Sequence, residues 1–260
     1  MRDAYAELDD VRLHYVEAGE GPLVVLLHGF PEFWYGWRHQ IEPLAARGFR
    51  VVAPDLRGYN LSSKPRGRDA YRIDRLAGDV RQLIEERGAP RACVAGHDWG
   101  GLVAWATAMD HPDAVERLAI LNAPHPRVFA AAVRRPRQAA HSWYILAFQL
   151  PWLPERLAPH VLPQRRHPRY REAWAQPGAL TAMLNYYRAL SPRTRIAAVT
   201  APTRVIWGER DRYLLPSLAE PSRADVPHLE RVIRLDTSHW VQHEAPEAVT
   251  GLLAEFFSLG

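Results

Sequence analysis

The chain has 260 residues, 47% of them hydrophobic and 24% charged, the balance of a globular protein and not of a disordered or fibrous one. Thirty-three basic against 29 acidic residues give a formal charge of +4, and no nucleic-acid-binding module accompanies the excess. A single cysteine, Cys93, excludes a disulfide framework and argues against a cysteine zinc site, and a chain this long needs neither staple to build a core.

The N-terminus, Met-Arg-Asp-Ala-Tyr-Ala-Glu, carries acidic residues where a secretory signal needs an apolar centre, so a soluble, cytoplasmic protein is expected. Purely apolar runs such as Leu23 to Leu27 are too short to span a bilayer, and no membrane partner is expected. Apolar runs bounded by turn residues predict strands at Leu23–His28, Arg50–Pro54, Ala92–Ala95, Leu118–Leu121, Arg204–Trp207 and Arg231–Leu235. Being short and almost wholly apolar, they suit a parallel sheet buried on both faces. Helical periodicity occupies the gaps, at about Trp37–Arg47, Ile73–Arg87, Leu102–Asp110 and Pro246–Phe257. The alternation predicts an α/β fold: a mostly parallel, twisted sheet flanked by helices. It lapses where Pro, Arg and aromatic residues crowd together. Residues 127–195 are therefore expected to form an inserted helical lid, with 1–126 and 196–260 forming the core.

Within that lid lie two basic clusters, Arg134-Arg135-Pro136-Arg137 and Arg165-Arg166-His167-Pro168-Arg169. Without a recognition module they predict a solvated face and no nucleic-acid partner. Every basic residue except Lys64 is arginine, which fits a bias of genome composition. The 22 prolines and three asparagines are also compatible with heat stability.

The chemistry starts at Gly96-His97-Asp98-Trp99-Gly100-Gly101, between a predicted strand and a predicted helix. Small residues there permit a sharp turn that pushes the central side chain outward. That side chain is Asp98, a carboxylate able to act as a nucleophile without a base. It is equally suited to capping the following helix. His28-Gly29-Phe30-Pro31 follows the first predicted strand, where an oxyanion loop belongs, so the backbone N–H groups of Phe30 and Trp99 can converge on a developing negative charge. Two further motifs stand beyond late strands: Trp207-Gly208-Glu209-Arg210-Asp211 and Ser238-His239-Trp240. The order nucleophile, acid, histidine, at carboxyl ends of strands, is where open α/β sheets hold their sites.

With these four motifs in this order, the whole chain resembles the α/β-hydrolase superfamily, and within it the aspartate-nucleophile branch of epoxide hydrolases and haloalkane dehalogenases. The resemblance implies Asp98 as nucleophile, His239 as base and Asp211, in preference to Glu209, as its acid partner. It places His239 in the loop and leaves His243 a structural role. Zinc between these histidines lacks a third ligand, and neither metal nor cofactor is expected. His28 and His97 are expected to support the loops beside them, and Cys93 to lie in the core.

The leaving group separates the two activities. Opening an epoxide liberates an alkoxide, which calls for a proton donor such as tyrosine; displacing halide does not. Asn185-Tyr186-Tyr187-Arg188 and Ser142-Trp143-Tyr144 are similar to the tyrosine motifs of epoxide hydrolases, which implies that Tyr144 and Tyr187 are the acids. The alternative is that both simply pack the lid. Many haloalkane dehalogenases carry Asn where this chain has Phe30, although Trp99 and Trp143 offer indole donors for a halide. A non-catalytic small-ligand receptor on the same fold is the other class of reading, and a complete nucleophile–acid–histidine set argues against it. An epoxide hydrolase, converting a small apolar epoxide and water to a vicinal diol, is thus expected, as a monomer or homodimer. Trp34, Trp143 and Phe148 are expected to line its pocket, with Trp37 and Trp152 as further aromatic candidates.

Overall fold

In the computed structural model, which describes residues 1–191 and 195–258, the apolar runs lie side by side in one eight-stranded sheet. Its strands are β1 (Arg2–Glu7), β2 (Arg12–Ala18), β3 (Leu23–Leu27), β4 (Arg50–Pro54), β5 (Ala92–His97), β6 (Val115–Leu121), β7 (Thr203–Gly208) and β8 (Leu229–Leu235). They are ordered β1-β2-β4-β3-β5-β6-β7-β8. β1–β2 and β2–β4 pair antiparallel and all other neighbours pair parallel. Every residue of β3, β5 and β7 is buried, as strands covered on both faces must be.

β1 and β2 were not among the expected strands. They form an edge hairpin, with Arg2 opposite Glu17 and Glu7 opposite Arg12. β1, at the edge, faces water and mixes charged with apolar residues, while β2 is interior but buries His14 and Glu17, so neither reads as an apolar run.

The sheet is flanked by α1 (Ile41–Ala45), α2 (Ile73–Glu86) and α3 (Trp99–Asp110). α2 buries Leu76, Val80, Leu83 and Ile84, the one-sided spacing that docks a helix on a sheet. The expected helix at Trp37–Arg47 is instead a 3-10 turn, Trp34–Trp37, followed by the short α1. Pro43 lacks an N–H and fits only the first turn of a helix, which confines where α1 begins.

Between β6 and β7 the described residues hold helices and no strand: α4 (Pro126–Ala132), α5 (Pro136–His141), α6 (Trp143–Ala147), α7 (Leu153–Val161), α8 (Pro168–Trp174) and α9 (Ala179–Arg188). Proline opens the first turn of α4, α5, α7 and α8, where its fixed φ helps and its missing N–H costs nothing. Polar side chains tie these helices to the sheet's loops. Tyr186 Oη donates to the Arg57 carbonyl at 2.8 Å, Tyr170 Oη to Glu32 Oε1 at 2.6 Å and Trp174 Nε1 to the Pro31 carbonyl at 2.8 Å. The chain closes with α10 (Val241–Glu244) and α11 (Pro246–Phe257). Among the described residues no helix is long and apolar enough to cross a membrane.

Candidate active site

β5 ends at His97 and α3 begins at Trp99, so Asp98 alone makes the turn, with φ 52° and ψ −120°. A non-glycine residue held at positive φ is strained, and such strain persists where surrounding structure enforces it. The enforcement is visible in the backbone: Asp98 N–H donates to the Leu121 carbonyl at 3.1 Å, and Leu102 N–H to the Asp98 carbonyl at 3.0 Å. A side chain at Gly100 would strike the Leu27 carbonyl. The Asp98 carboxylate makes no capping bond to α3. It turns instead to the loop after β3, where Phe30 N–H donates to Oδ1 at 2.8 Å. Gly29 permits that approach, since a Cβ there would sit 2.5 Å from Asp98 Cβ and 2.7 Å from Oδ1. Trp99, as first residue of α3, has a backbone N–H with no partner inside the helix.

His239, in the loop after β8, meets Asp98 from the other side. Its Nε2 lies 3.4 Å from Asp98 Oδ2, and its Nδ1 lies 2.6 Å from Asp211 Oδ2. Burial works against charge on this imidazole, but Asp211 and then Asp98 outweigh it and push its pKa up to about 10. Burial likewise opposes charge on Asp211. His239, the Tyr213 N–H and the Asn122 amide reverse the effect and hold the carboxylate below its usual range. Tyr213 and Leu214 N–H donate to Asp211 Oδ1 at 2.7 and 3.0 Å, and Asn122 Nδ2 to Oδ2 at 2.7 Å. Glu209, the other acid of that motif, is half exposed, with Arg234 at 3.7 Å.

A second tier of histidines holds the loops. His28 Nε2 accepts from Leu56 N–H at 3.0 Å, so Nδ1 carries the proton and donates to the Gly29 carbonyl at 3.0 Å. His97 Nε2 donates to the His239 carbonyl at 2.9 Å while Nδ1 accepts from Gln242 at 3.1 Å. Complete burial, then the neighbouring His239, lowers His97 to about 4 and keeps it neutral. His243 lies 2.7 Å from Glu32, a carboxylate buried to 1% exposure. Among the described residues no cluster of ligands suits a metal ion.

Asp98 stands between two apolar cavities. The larger, about 640 Å³, is also lined by Phe30, His239, Tyr144, Tyr187 and Phe148, with Trp143 at its rim. The smaller, about 230 Å³, shares Asp98, Tyr144 and Tyr187 and adds Trp99, Leu102 and Phe129. Tyr144 comes from α6 and Tyr187 from α9, their ring centres 6.1 Å apart. Burial, then the nearby Asp98 charge, pushes both phenols well above 10, so each keeps its O–H. Tyr187 is set by its neighbours in sequence. Tyr186 anchors to the core, and Arg188 reaches back to the Phe148 carbonyl at 2.9 Å and to Glu155 at 2.7 Å.

Trp34 lines neither cavity. It is buried against Phe33 and Tyr35 because its loop is drawn inward by Trp34 N–H donating to Asp55. Trp37 is fully buried core, and Trp152 is exposed outside both cavities. Trp143 reaches only the rim and is 66% exposed. Conversely, Asn122 and Tyr213 were not foreseen. Asn122 also accepts from Gly208 N–H at 2.9 Å, bridging β6 and β7 beneath Asp211; a polar residue just beyond the β6 run was its only signal. Tyr213 stacks edge-on to His239 at 5.3 Å, in a loop without a motif.

The alpha/beta hydrolase fold family profile matches residues 22–171. The chain is 44% identical to the AB hydrolase superfamily protein YfhM of Bacillus subtilis, over 97% of this chain and 96% of the other. It is 36% identical to human epoxide hydrolase 4, over 97% of this chain and 78% of that protein. An inhibitor complex of Bacillus megaterium epoxide hydrolase superposes with a TM-score of 0.88 at 33% identity, covering 97% and 99% of the two chains.

Proposed function

The chain belongs to the alpha/beta hydrolase fold family, and we propose from that membership and the site's geometry that it is an epoxide hydrolase. One observation carries the choice of reaction: two tyrosines from separate helices, Tyr187 buried and Tyr144 partly buried, line the same cavities as the carboxylate at the turn. Of the described residues, those within 127–195 act as a lid bearing the acids, over a core drawn from 1–126 and 196–260 bearing the nucleophile and base.

Asp98 attacks an epoxide carbon in line, the ring C–O bond breaks, and Tyr144 or Tyr187 delivers a proton to the departing oxygen. A hydroxyalkyl ester remains on Asp98. His239, oriented by Asp211, then takes a proton from water, and the resulting hydroxide adds to the ester carbonyl. Phe30 and Trp99 N–H groups receive the oxyanion, and the diol departs as the carboxylate reforms. Halide displacement is less well served, because Phe30 stands where an amide would hold the anion and the Trp143 indole is at the rim. A receptor has no use for the chain of polar contacts from Asn122 through Asp211 and His239 to Asp98. Substituents fit on both sides of the epoxide, the larger in the cavity shared with His239.

The test is Tyr144→Phe with Tyr187→Phe, assayed with styrene oxide and 1-bromobutane in parallel. Wild type is expected to release diol and little bromide. Each single change should slow epoxide opening roughly ten- to a hundredfold, and the double change should nearly abolish it. A double variant that hydrolyses styrene oxide at the wild-type rate would reduce the tyrosines to packing residues and remove the reason for preferring epoxides.

A further inference from the structure

The two basic clusters take no part in the chemistry above, and neither do the apolar side chains that the lid leaves in water. Of the ten large apolar side chains exposed among the described residues, seven lie between Trp143 and Leu190. A soluble surface scatters such residues singly, so their concentration on one segment marks a contact face. Leu146 is 76% and Trp152 63% exposed, and neither lines a cavity. Trp143, Leu150, Leu157 and Val161, also exposed, border the mouth of the larger cavity. The apolar face thus surrounds the entrance to the candidate site.

Charge is divided just as sharply. Residues 127–191 contain ten arginines and two glutamates, a net +8, whereas the whole chain carries +4, so the remainder is net −4. Arg127 and Arg188 are paired with carboxylates. Arg134, Arg135, Arg137 and Arg166 are exposed or part-exposed and meet no carboxylate among the described residues. They flank the apolar face: Arg137 is one turn before His141 of the cavity lining, and Arg166 follows Val161 in the next turn. The Arg156 guanidinium lies 5.8 Å over the Trp152 ring, an amphipathic pair suited to a water–lipid boundary.

We propose that the lid is an interfacial surface that seats the cavity mouth on an anionic lipid bilayer, from which apolar substrates enter. Exposed Leu and Trp supply the buried area and unpaired arginines the attraction, the pairing that peripheral membrane proteins require. A second copy is a poor occupant because it would present the same positive face to this one. The expectation of no membrane partner rested on the lack of a spanning run, and resting on a surface needs none. The proposal depends on the cavity mouth and the surface around it, and holds whichever reaction Asp98 performs.

The experiment is co-sedimentation of the full chain with vesicles of phosphatidylcholine, alone or with roughly a third phosphatidylglycerol. Wild type should bind the anionic vesicles at low salt, and raised salt should weaken binding sharply. The combined change Arg134→Gln, Arg135→Gln and Arg137→Gln should lower the anionic partition coefficient about a hundredfold, near fivefold per charge. Leu146→Ser with Trp152→Ser should lower partition into both vesicle types at least about tenfold. Both sets should leave circular dichroism and turnover of a water-soluble epoxide unchanged, which separates this surface from the active site. Wild type that ignores anionic vesicles at low salt overturns the proposal. So does binding to duplex DNA as tight as to vesicles and insensitive to the Leu146 and Trp152 changes. A dimer seen by light scattering and dissolved by those two changes would assign the face to a second copy instead.

Discussion

Replacing His239 with Gln divides the proposed reaction at its intermediate. In the native site Nδ1 lies 2.6 Å from Asp211 and Nε2 3.4 Å from Asp98. Glutamine fills similar space and keeps an amide for Asp211, but it cannot accept a proton from water. The first step loses little, since Phe30 N–H still orients Asp98 and both tyrosines remain. Removing an imidazolium beside the carboxylate also frees its electrons for attack. The second step loses its general base, worth about 10² to 10⁴ in rate, or roughly 3 to 5 kcal/mol of barrier. The adduct should therefore form at nearly the wild-type rate and persist at least about a hundred times longer. Intact-protein mass spectrometry after mixing with styrene oxide should show one substrate mass added, and digestion should locate it on Asp98. A folded variant that forms no adduct would mean the first step also needs His239. An adduct that hydrolyses at the wild-type rate would remove His239 as the base.

Three other outcomes are expected. Asn122→Ala strips one bond from Asp211 and orphans the buried Gly208 N–H, so urea denaturation should show a loss of about 3 kcal/mol, with a longer-lived ester in single turnovers; unchanged stability and lifetime would refute the support role. Gly29→Ala drives a methyl group into Asp98 and should lower kcat about a hundredfold or more through loss of the Phe30 donor; activity within a factor of about two of wild type would refute it. Burial opposes charge on Glu32, but His243, His97 and Tyr170 hold it down at about 2 from 4.5. A depressed carboxylate contributes stability that is present above pH 4.5 and is lost as pH falls through about 2. Glu32→Gln should therefore cost about 3 kcal/mol at neutral pH, and the gap from wild type should close across that acid window in urea midpoints; a gap constant with pH would refute the assignment.

What the sequence disclosed follows from where its information is local. The Leu23–Leu27 run and its kin are legible because strands buried on both faces must be apolar throughout. The turn at Asp98 is legible because its backbone demands small neighbours, and those neighbours are written beside it. β1 is hidden because a wet edge strand carries the same polar mixture as a loop, and β2 because it buries His14 and Glu17 among its apolar residues. Asn122 is hidden for another reason: its partners are Asp211 and Gly208, more than 80 residues away, and no local pattern records the meeting. Trp34 misled because aromatic character says nothing of direction. Its loop points inward only because Asp55, from after β4, captures its N–H. Glu32 went unnoticed although it follows Pro31 in the oxyanion motif, since its three partners come from α8 and α10.

The proton inventory of the proposed cycle closes on the groups present. With Asp98 ionised, His239 is held near 10 and carries a proton at neutral pH, which is the wrong state for a base. Ester formation cures this, because it removes one of the two carboxylates that keep the imidazole charged. The tyrosine that has just protonated the ring oxygen is at that moment a buried phenolate, which burial disfavours strongly. The His239 proton can pass to it, directly or through water, restoring the phenol and producing a neutral imidazole together. That imidazole then takes the proton of the attacking water. When the diol leaves, Asp98 regains its charge, and the newly protonated His239 is again stabilised by both carboxylates. Each step thus sets the charge state that the next one needs, and the net consumption is one epoxide and one water. The same coupling explains why Asp211 is held so firmly by Asn122 and two backbone N–H groups. It is the one anion in the site whose charge must not change while the others alternate.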